Sequence, residues 1–133
     1  MTTAKVTWTD SERFVGMASS NHAIVVDAGA EKSANGPMEL VLIGLCSCTA
    51  VDVVSILTKK REPFTGVEVR AEAERADEPP KVYTRIKLVY RISGKVSKKA
   101  AEDAVRLSEE KYCSVAGMLN KTATITYEIE LDS

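Results

Sequence analysis

The pattern of apolar and polar positions divides the chain into short alternating segments and one long apolar segment. Alternation with a period of two, or a short run rich in β-branched residues, predicts a strand. Six segments fit this description, and they cover residues 4–9, 13–18, 23–27, 67–76, 82–93 and 123–131. Short polar loops separate the first three, so the chain is predicted to open with a three-stranded meander.

The long apolar segment predicts a helix from Met38 to about Lys60. Gly36-Pro37 is typical of a helix start and Pro63 of a stop. Because this segment is apolar around most of its circumference, the helix should be covered on several sides. Further helices are predicted over 100–112 and 114–119.

The predicted order is therefore β-β-β-α-β-β-α-α-β. Strands and helices are segregated rather than strictly alternating, which favours an α+β fold with an antiparallel sheet. Acidic side chains line one face of strand 67–76, and basic ones line strand 82–93. Paired by a hairpin, these strands should form exposed ion pairs. The length of 133 residues indicates a single domain over 1–133.

Composition and charge narrow the classes of function. Hydrophobic residues make up 44% of the chain and charged residues 28%, as in a soluble domain with a core. The net charge of −1 argues against nucleic acid and anionic membranes as partners. Glu39 and Asp52 interrupt the apolar segment, which argues against a membrane span. The first ten residues lack the apolar region of an export signal, so a cytoplasmic location is expected.

The cysteines are the candidate chemical groups. The chain has three cysteines, an odd number. In a reducing compartment structural disulfides are not expected, and any disulfide should be transient and functional. With His22 as the single histidine and one residue between Cys46 and Cys48, neither a metal site nor a cofactor is predicted.

Helical geometry separates Cys46 from Cys48. Two residues apart, they point about 200° away from each other and cannot form a disulfide without unwinding the helix. Cys46 is therefore interpreted as a small buried hydrophobe. Cys113 follows the second predicted helix near an N-cap position, where the helix dipole favours a thiolate, although a structural role fits it equally well.

Two motifs carry a resemblance to a known family. The segment Gly36-Pro37-Met38-Glu39-Leu40 precedes Cys48-Thr49-Ala50-Val51-Asp52-Val53-Val54, and Lys111-Tyr112-Cys113-Ser114-Val115-Ala116 follows much later. In this order, the motifs resemble the OsmC/Ohr family of organic hydroperoxide reductases, and most closely its OsmC-like branch. The resemblance implies an intertwined homodimer with its active sites at the interface.

The same resemblance implies roles for individual residues. Cys48 takes the position of the peroxidatic cysteine, Cys113 that of the resolving cysteine, and Arg13 that of the arginine that stabilises the thiolate and the peroxide. The implied substrate is an organic hydroperoxide and the implied reductant a dithiol. For Arg13, the alternative is a solvated charge at a strand edge.

The sequence departs from the family pattern near the start of the long helix. The acid that follows the proline in the family is replaced by Met38, and Glu39 is the neighbouring candidate acid. Because Met38 lies about 15 Å from Cys48 along the helix, any contact from this end must be made across a dimer. Glu39 has an alternative role as a first-turn acid that favours the helix dipole. Met38 and Leu45 are predicted to contact an alkyl or lipid substrate, and Ser114 stands where the reductases commonly have proline.

Two functional hypotheses follow. The first is a thiol-dependent peroxidase, which reduces organic hydroperoxides through a Cys48 sulfenic acid and a Cys48–Cys113 disulfide in defence against oxidative stress. The second is a non-enzymatic dimer that binds a small apolar ligand or senses redox state at its interface. Asp52, one turn beyond Cys48, is expected to form a structural ion pair.

Overall fold

The computed structural model describes all residues, Met1 to Ser133. Its contacts group the chain into two compact units, Met1–Ile43 and Gly44–Ser133. The order of elements is the predicted one, and the fold is α+β.

The first unit contains a three-stranded antiparallel sheet. Its strands are β1 (Ala4–Asp10), β2 (Arg13–Ala18) and β3 (Ala23–Asp27), in the order β1-β2-β3. The turn between β1 and β2 uses Ser11 at a positive φ of 46°, and the turn between β2 and β3 uses Asn21 at 63°. The predicted meander is thus confirmed.

The long helix α1 (Pro37–Lys59) contributes its residues 37–43 to the first unit and 44–59 to the second. Within the chain, a single stripe at four-residue spacing is buried, and it consists of Leu45, Thr49, Val53 and Leu57. Other apolar positions of the helix are exposed, among them Ile43, Val51 and Val54. The expected cover on several sides is therefore not supplied by one chain. By length and composition α1 could cross a membrane, but the core helix of a soluble protein satisfies the same criteria.

The second unit is built on a sheet of β4 (Phe64–Arg75), β5 (Tyr83–Gly94) and β6 (Thr124–Asp132), in the order β4-β5-β6. β4 and β5 are antiparallel as predicted, but β5 and β6 are parallel. The predicted antiparallel pairing is therefore confirmed for β4 and β5 and wrong for β6. The helices between β5 and β6 form the long crossover that a parallel pair requires.

The expected ion pairs between β4 and β5 form only in part. Arg85 lies 3.7 Å from Glu74 of β4. Lys87 and Arg91 instead pair with acids of β6, namely Glu128 at 3.4 Å and Asp132 at 2.8 Å. Because β5 is the central strand, its bases have acidic neighbours on both sides.

The crossover consists of three helical pieces. Helix α2 (Lys98–Leu107) is capped by Ser97, whose hydroxyl accepts from the Ala100 N–H at 3.2 Å. A π-helical turn (Ser108–Tyr112) follows, and then α3 (Ser114–Leu119). The segment predicted as one helix over 100–112 therefore changes its winding at Ser108, a residue with no exposed surface.

Candidate active site

The second unit brings the Cys48 and Cys113 thiols together. Cys48 is half-buried on α1, Cys113 is buried at the end of the π-helical turn, and the two side chains are near enough for Cys48 to raise the pKa of the Cys113 thiol. All three cysteines are free thiols in this structure. Neighbouring thiols on two different elements are the arrangement from which a disulfide can form on oxidation.

Cys113 is held by its own backbone and by α3. Its N–H donates to the Ser108 carbonyl oxygen at 2.8 Å, and its sulfur accepts from the Ala116 N–H at 3.4 Å. Cys113 is thus the N-cap of α3, which agrees with its predicted position. Burial raises the pKa of the Cys113 thiol to about 12; the bond from the Ala116 N–H opposes this shift, and the neighbouring Cys48 and Glu109 add to it. At neutral pH Cys113 therefore carries its proton.

A chain of buried hydroxyl groups lies beside the two thiols. The Thr49 hydroxyl is 2.6 Å from the Tyr90 hydroxyl and 2.7 Å from the Ser108 hydroxyl. Ser108 donates to Asp52 at 2.9 Å, and Tyr90 donates to Glu109 at 2.5 Å. The network therefore connects α1, β5 and the π-helical turn, and it ends in a carboxyl group on each side.

The network corrects the prediction for Asp52. Its carboxylate accepts a hydrogen bond from Ser108, and no ion pair involves it. A hydroxyl donor suits this half-buried position, since it satisfies the carboxylate without burying a second charge.

Tyr90 and Glu109 occupy a poorly solvated part of the network. Burial and the hydrogen bond to Glu109 raise the pKa of the Tyr90 hydroxyl far above its ordinary value, so Tyr90 is neutral. Burial also raises the pKa of Glu109, and the bond from Tyr90 partly opposes this shift. The Tyr90 ring packs edge-on against Tyr127 with centroids 6.1 Å apart, which fixes its orientation.

Cys46 lies outside this arrangement. Its side chain is half-buried, burial raises the pKa of its thiol, and it makes no contact with the other cysteines. Its environment is that of a small hydrophobe.

Arg13 and Glu39 lie in the first unit, and each has a partner there. The Arg13 guanidinium donates to both carboxylate oxygens of Asp10, with Nε 3.1 Å from Oδ1. Glu39 accepts from the Gly36 N–H at 2.9 Å and lies 3.5 Å from the ammonium group of Lys32. Within this unit, Glu39 therefore does not orient Arg13, and its geometry is that of the first-turn acid given as the alternative.

The two residues predicted to contact a substrate differ in exposure. Met38 is partly exposed at the start of α1, whereas Leu45 has no exposed surface. Leu45 packs inside the second unit, so in a single chain it presents nothing to a ligand. No group of three or more His, Cys, Asp or Glu side chains is placed to hold a metal ion.

The chain is similar to known proteins over most of its length. A family model described as "OsmC-like protein" matches residues 29–128, which include both cysteines of the pair. The chain belongs to the OsmC-like family. Protein YhfA of Escherichia coli strain K12 is 43% identical over 129 residues, which are 96% of each chain.

Solved structures agree with this assignment. A hypothetical protein from Aquifex aeolicus has a TM-score of 0.86 and 32% identity over 100% of this chain and 98% of that one. An organic hydroperoxide resistance protein, OsmC, from Legionella pneumophila has a TM-score of 0.74 over 98% of this chain and 96% of that one. At 17% identity, the Legionella protein shows a likeness of fold alone.

Several polar residues of the site were not predicted from the sequence. Thr49, Tyr90, Ser108 and Glu109 are common residue types without a motif of their own, and they lie on three different elements. One signal was available, because Thr49 lies on the buried stripe of α1, where a polar side chain needs a partner.

Proposed function

We propose that the protein is a cysteine-based peroxidase that reduces organic hydroperoxides, with Cys48 as the peroxidatic thiol and Cys113 as the resolving thiol. The proximity of the two side chains supports the proposal, because a resolving thiol has to reach the oxidised sulfur. The family assignment and the name of the Legionella relative support the choice of substrate class.

The reaction balances in three steps. The Cys48 thiolate attacks the terminal oxygen of the hydroperoxide, the O–O bond breaks, and the alkoxide takes a proton and leaves as an alcohol. The Cys113 sulfur then attacks the Cys48 sulfenic acid, which forms the disulfide and releases water. An external dithiol reduces this disulfide and restores both thiols.

The proposed assembly is a homodimer. OsmC/Ohr proteins are homodimers, and α1 exposes Ile43, Val51 and Val54, which a second copy could cover. In the proposed dimer, Arg13 would hold the thiolate and the peroxide, with Asp10 rather than Glu39 as the acid that orients it. We place this activity in the cytoplasm, as part of the defence against oxidative stress, because a reducing compartment returns the disulfide to thiols.

A second candidate is a non-enzymatic dimer that binds a small apolar ligand or senses redox state. One observation favours it, namely that Arg13 and Glu39 each pair with a residue of their own unit. An arginine already neutralised by Asp10 has less charge to offer a thiolate.

Single-turnover reduction of cumene hydroperoxide separates the two candidates. Cys48→Ser should lose at least about a hundredfold in the rate of alcohol formation, because the nucleophile is absent. Cys113→Ser should still form one equivalent of alcohol and should retain a sulfenic acid that dimedone traps. Cys46→Ser is the matched control and should behave as the wild type. If Cys48→Ser matched the wild type, the peroxidase assignment would fall and the non-enzymatic candidate would stand.

A further inference from the structure

The buried hydroxyl network has more short contacts than its hydroxyl groups have hydrogen atoms. Five side chains follow one another in it, from Glu109 through Tyr90, Thr49 and Ser108 to Asp52. The four oxygen–oxygen distances between them are 2.5, 2.6, 2.7 and 2.9 Å, and each is a hydrogen-bond distance. Each contact needs one hydrogen atom, but the three hydroxyl groups carry one each. If both carboxyl groups are ionised, one contact therefore has no hydrogen atom.

The contact that lacks a hydrogen atom would involve Thr49. An ionised carboxylate only accepts hydrogen bonds. Tyr90 then donates to one carboxylate and Ser108 to the other, which leaves the Thr49 hydroxyl with one hydrogen atom for two contacts. Water cannot repair this deficit, because none of the three residues has any exposed surface. Two buried oxygen atoms with no hydrogen atom between them repel each other and stay unsatisfied, so the geometry requires a fourth proton.

The fourth proton belongs on one of the two carboxyl groups, and the surroundings of Asp52 favour its ionised form. Asp52 borders a surface cavity of about 460 Å³, and Lys59 and Lys60 line the same cavity. Water can enter such a cavity, and positive charge nearby stabilises a carboxylate. Asp52 is therefore the accepting end of the network.

Glu109 has the opposite surroundings. The titratable groups that face it are the neutral Tyr90 of β5 and the Cys113 thiol, and neither supplies a positive charge. Arg106 of α2 pairs with acids other than Glu109, and Asp52 of α1 lies at the far end of the network. Burial raises the pKa of the Glu109 carboxyl, in agreement with this geometry. Glu109 is therefore the end of the network that keeps a proton.

We propose that the network holds four protons, with the fourth on Glu109, and that it is complete only in this protonated form. Every contact then has one hydrogen atom, and the bonds run in one direction from Glu109 to the Asp52 carboxylate. Loss of the proton as the pH rises opens one contact of Thr49, which weakens the attachment of the π-helical turn to α1 and β5. The inference rests on the proposed function only for its consequence, because this turn ends at Cys113, the proposed resolving thiol.

Glu109→Gln tests the proton count, because an amide group is a hydrogen-bond donor at every pH. A pKa raised above the ordinary 4.5 in the folded state stabilises the wild type fully below that value, and this stability is lost as the pH rises through the folded pKa. Across that interval, the equilibrium constant of unfolding of the wild type should rise about tenfold per pH unit relative to that of Glu109→Gln. Urea denaturation at a series of pH values measures both constants.

Glu110→Gln is the matched control, because Glu110 is exposed and makes no contact in the network. The ratio of its unfolding constant to that of the wild type should be the same at every pH. A Glu109→Gln protein that is less stable than the wild type by a constant amount above pH 4.5 would overturn the proposal. An ionised Glu109 that only accepts would then be the stabilising form.

Thr49→Val separates the proton count from burial, and it keeps the proposal testable if Glu109→Gln does not fold. Without the Thr49 hydroxyl, two hydroxyl groups face two carboxylates, and no extra proton is needed. Carbon NMR of protein with labelled glutamate carboxyl groups gives the titration midpoint of Glu109. In Thr49→Val, this midpoint should fall by about one pH unit, the equivalent of about one buried hydrogen bond. An unchanged midpoint would mean that burial alone holds the proton, and the proposal would fall.

Neither experiment uses a peroxide, so both are independent of the peroxidase assay. Loss of the role assigned to Cys48, with the expected titration of Glu109, would refute the proposed function alone. A working peroxidase with an unchanged Glu109 midpoint in Thr49→Val would refute the proton count alone.

Discussion

The two three-stranded sheets are built from similar apolar strands and differ sharply in burial. Every residue of β1 is exposed, and in β3 Ile24 and Val25 are about half exposed. In β5, by contrast, Ile86, Leu88, Val89, Tyr90 and Ile92 are at most 1% exposed. Burial on this scale forces each polar group to find a partner inside the protein, and the hydroxyl network around Thr49 is the result. The resolving role proposed for Cys113 therefore depends on the buried sheet β4-β5-β6.

The largest expected effect is a loss of stability, and it is tested by replacing one buried or exposed isoleucine by alanine in each sheet. Ile86→Ala should lower the free energy of unfolding by about 2–5 kcal/mol, because it leaves a cavity in a packed core. Ile24→Ala should cost clearly less, since 49% of Ile24 is already exposed in the chain. Urea denaturation of the two variants, at the same protein concentration, gives the comparison.

Equal losses at Ile24 and Ile86 would contradict the contrast for the protein in solution. Repeating both titrations at several protein concentrations then shows whether a second copy covers the first sheet. A loss at Ile24 that grows with protein concentration would identify such cover, because association stabilises only the assembled state.

The next effect concerns the polar groups of the buried sheet. Thr49→Val keeps the shape of the side chain and removes the hydroxyl that Tyr90 and Ser108 share. We expect a loss of about 1–3 kcal/mol in the free energy of unfolding, because buried polar groups are left with fewer partners. Thr58→Val is the control on the same helix, since the Thr58 hydroxyl bonds to the Val54 carbonyl oxygen in an exposed position. A similar loss in both variants would show that the buried network contributes no more to the free energy of unfolding than an exposed hydrogen bond does.

The sequence predicted most of this fold, and the errors have a common cause. Alternation and helix boundaries follow from local residue types, so β2 and β3 were predicted with their observed bounds. The parallel pairing of β6 was missed because strand direction depends on the length and path of the crossover, which local patterns do not record. The π-helical turn was missed for a similar reason, since Ser108 changes the winding through contacts made by distant residues.

The site residues likewise include some that the sequence predicted and some that it could not. Motif resemblance selected Cys48 and Cys113, and Cys48 lies near enough to Cys113 to raise the pKa of its thiol; their catalytic roles stay predictions. Glu109 could not be distinguished from Glu110 in the sequence, because adjacent acids in an amphipathic segment differ only in the direction each side chain takes. The role predicted for Glu39 stays a prediction, with Gly36 and Lys32 as its partners within its own unit.

A smaller effect is expected at the single buried carboxylate of the first unit. Asp27 is 3% exposed and accepts from the N–H groups of Gly29 and Ser33 and from the Ser33 hydroxyl. These bonds lower the pKa of Asp27 from 3.8 to about 2. Since the folded state holds the ionised form, its contribution to stability is present above the unfolded pKa and is lost as the pH falls from about 3.8 to about 2.

Asp27→Asn should therefore be less stable than the wild type at neutral pH, and the difference should shrink as the pH falls through that range. The loss should be modest, because the Asn carbonyl oxygen can keep part of the hydrogen bonding. Thermal denaturation from neutral to strongly acidic pH measures it, with Asp77→Asn, in the loop between β4 and β5, as the control. A constant difference at all pH values would show that Asp27 acts through packing and not through its charge.

The smallest effect is expected where the polar groups are exposed. The side chains of Asp10 and Arg13 are 55% and 41% exposed, and their hydrogen bonds lower the pKa of Asp10 and raise that of Arg13. Because water and salt screen such a pair, Asp10→Asn should leave the thermal midpoint unchanged within error, at low and at high salt. If the thermal midpoint fell as far as in Asp27→Asn, the exposure of a polar pair would not predict its contribution to stability in this protein. Arg13 would then be a structural residue of the first sheet, and its assignment to the thiolate would lose its basis.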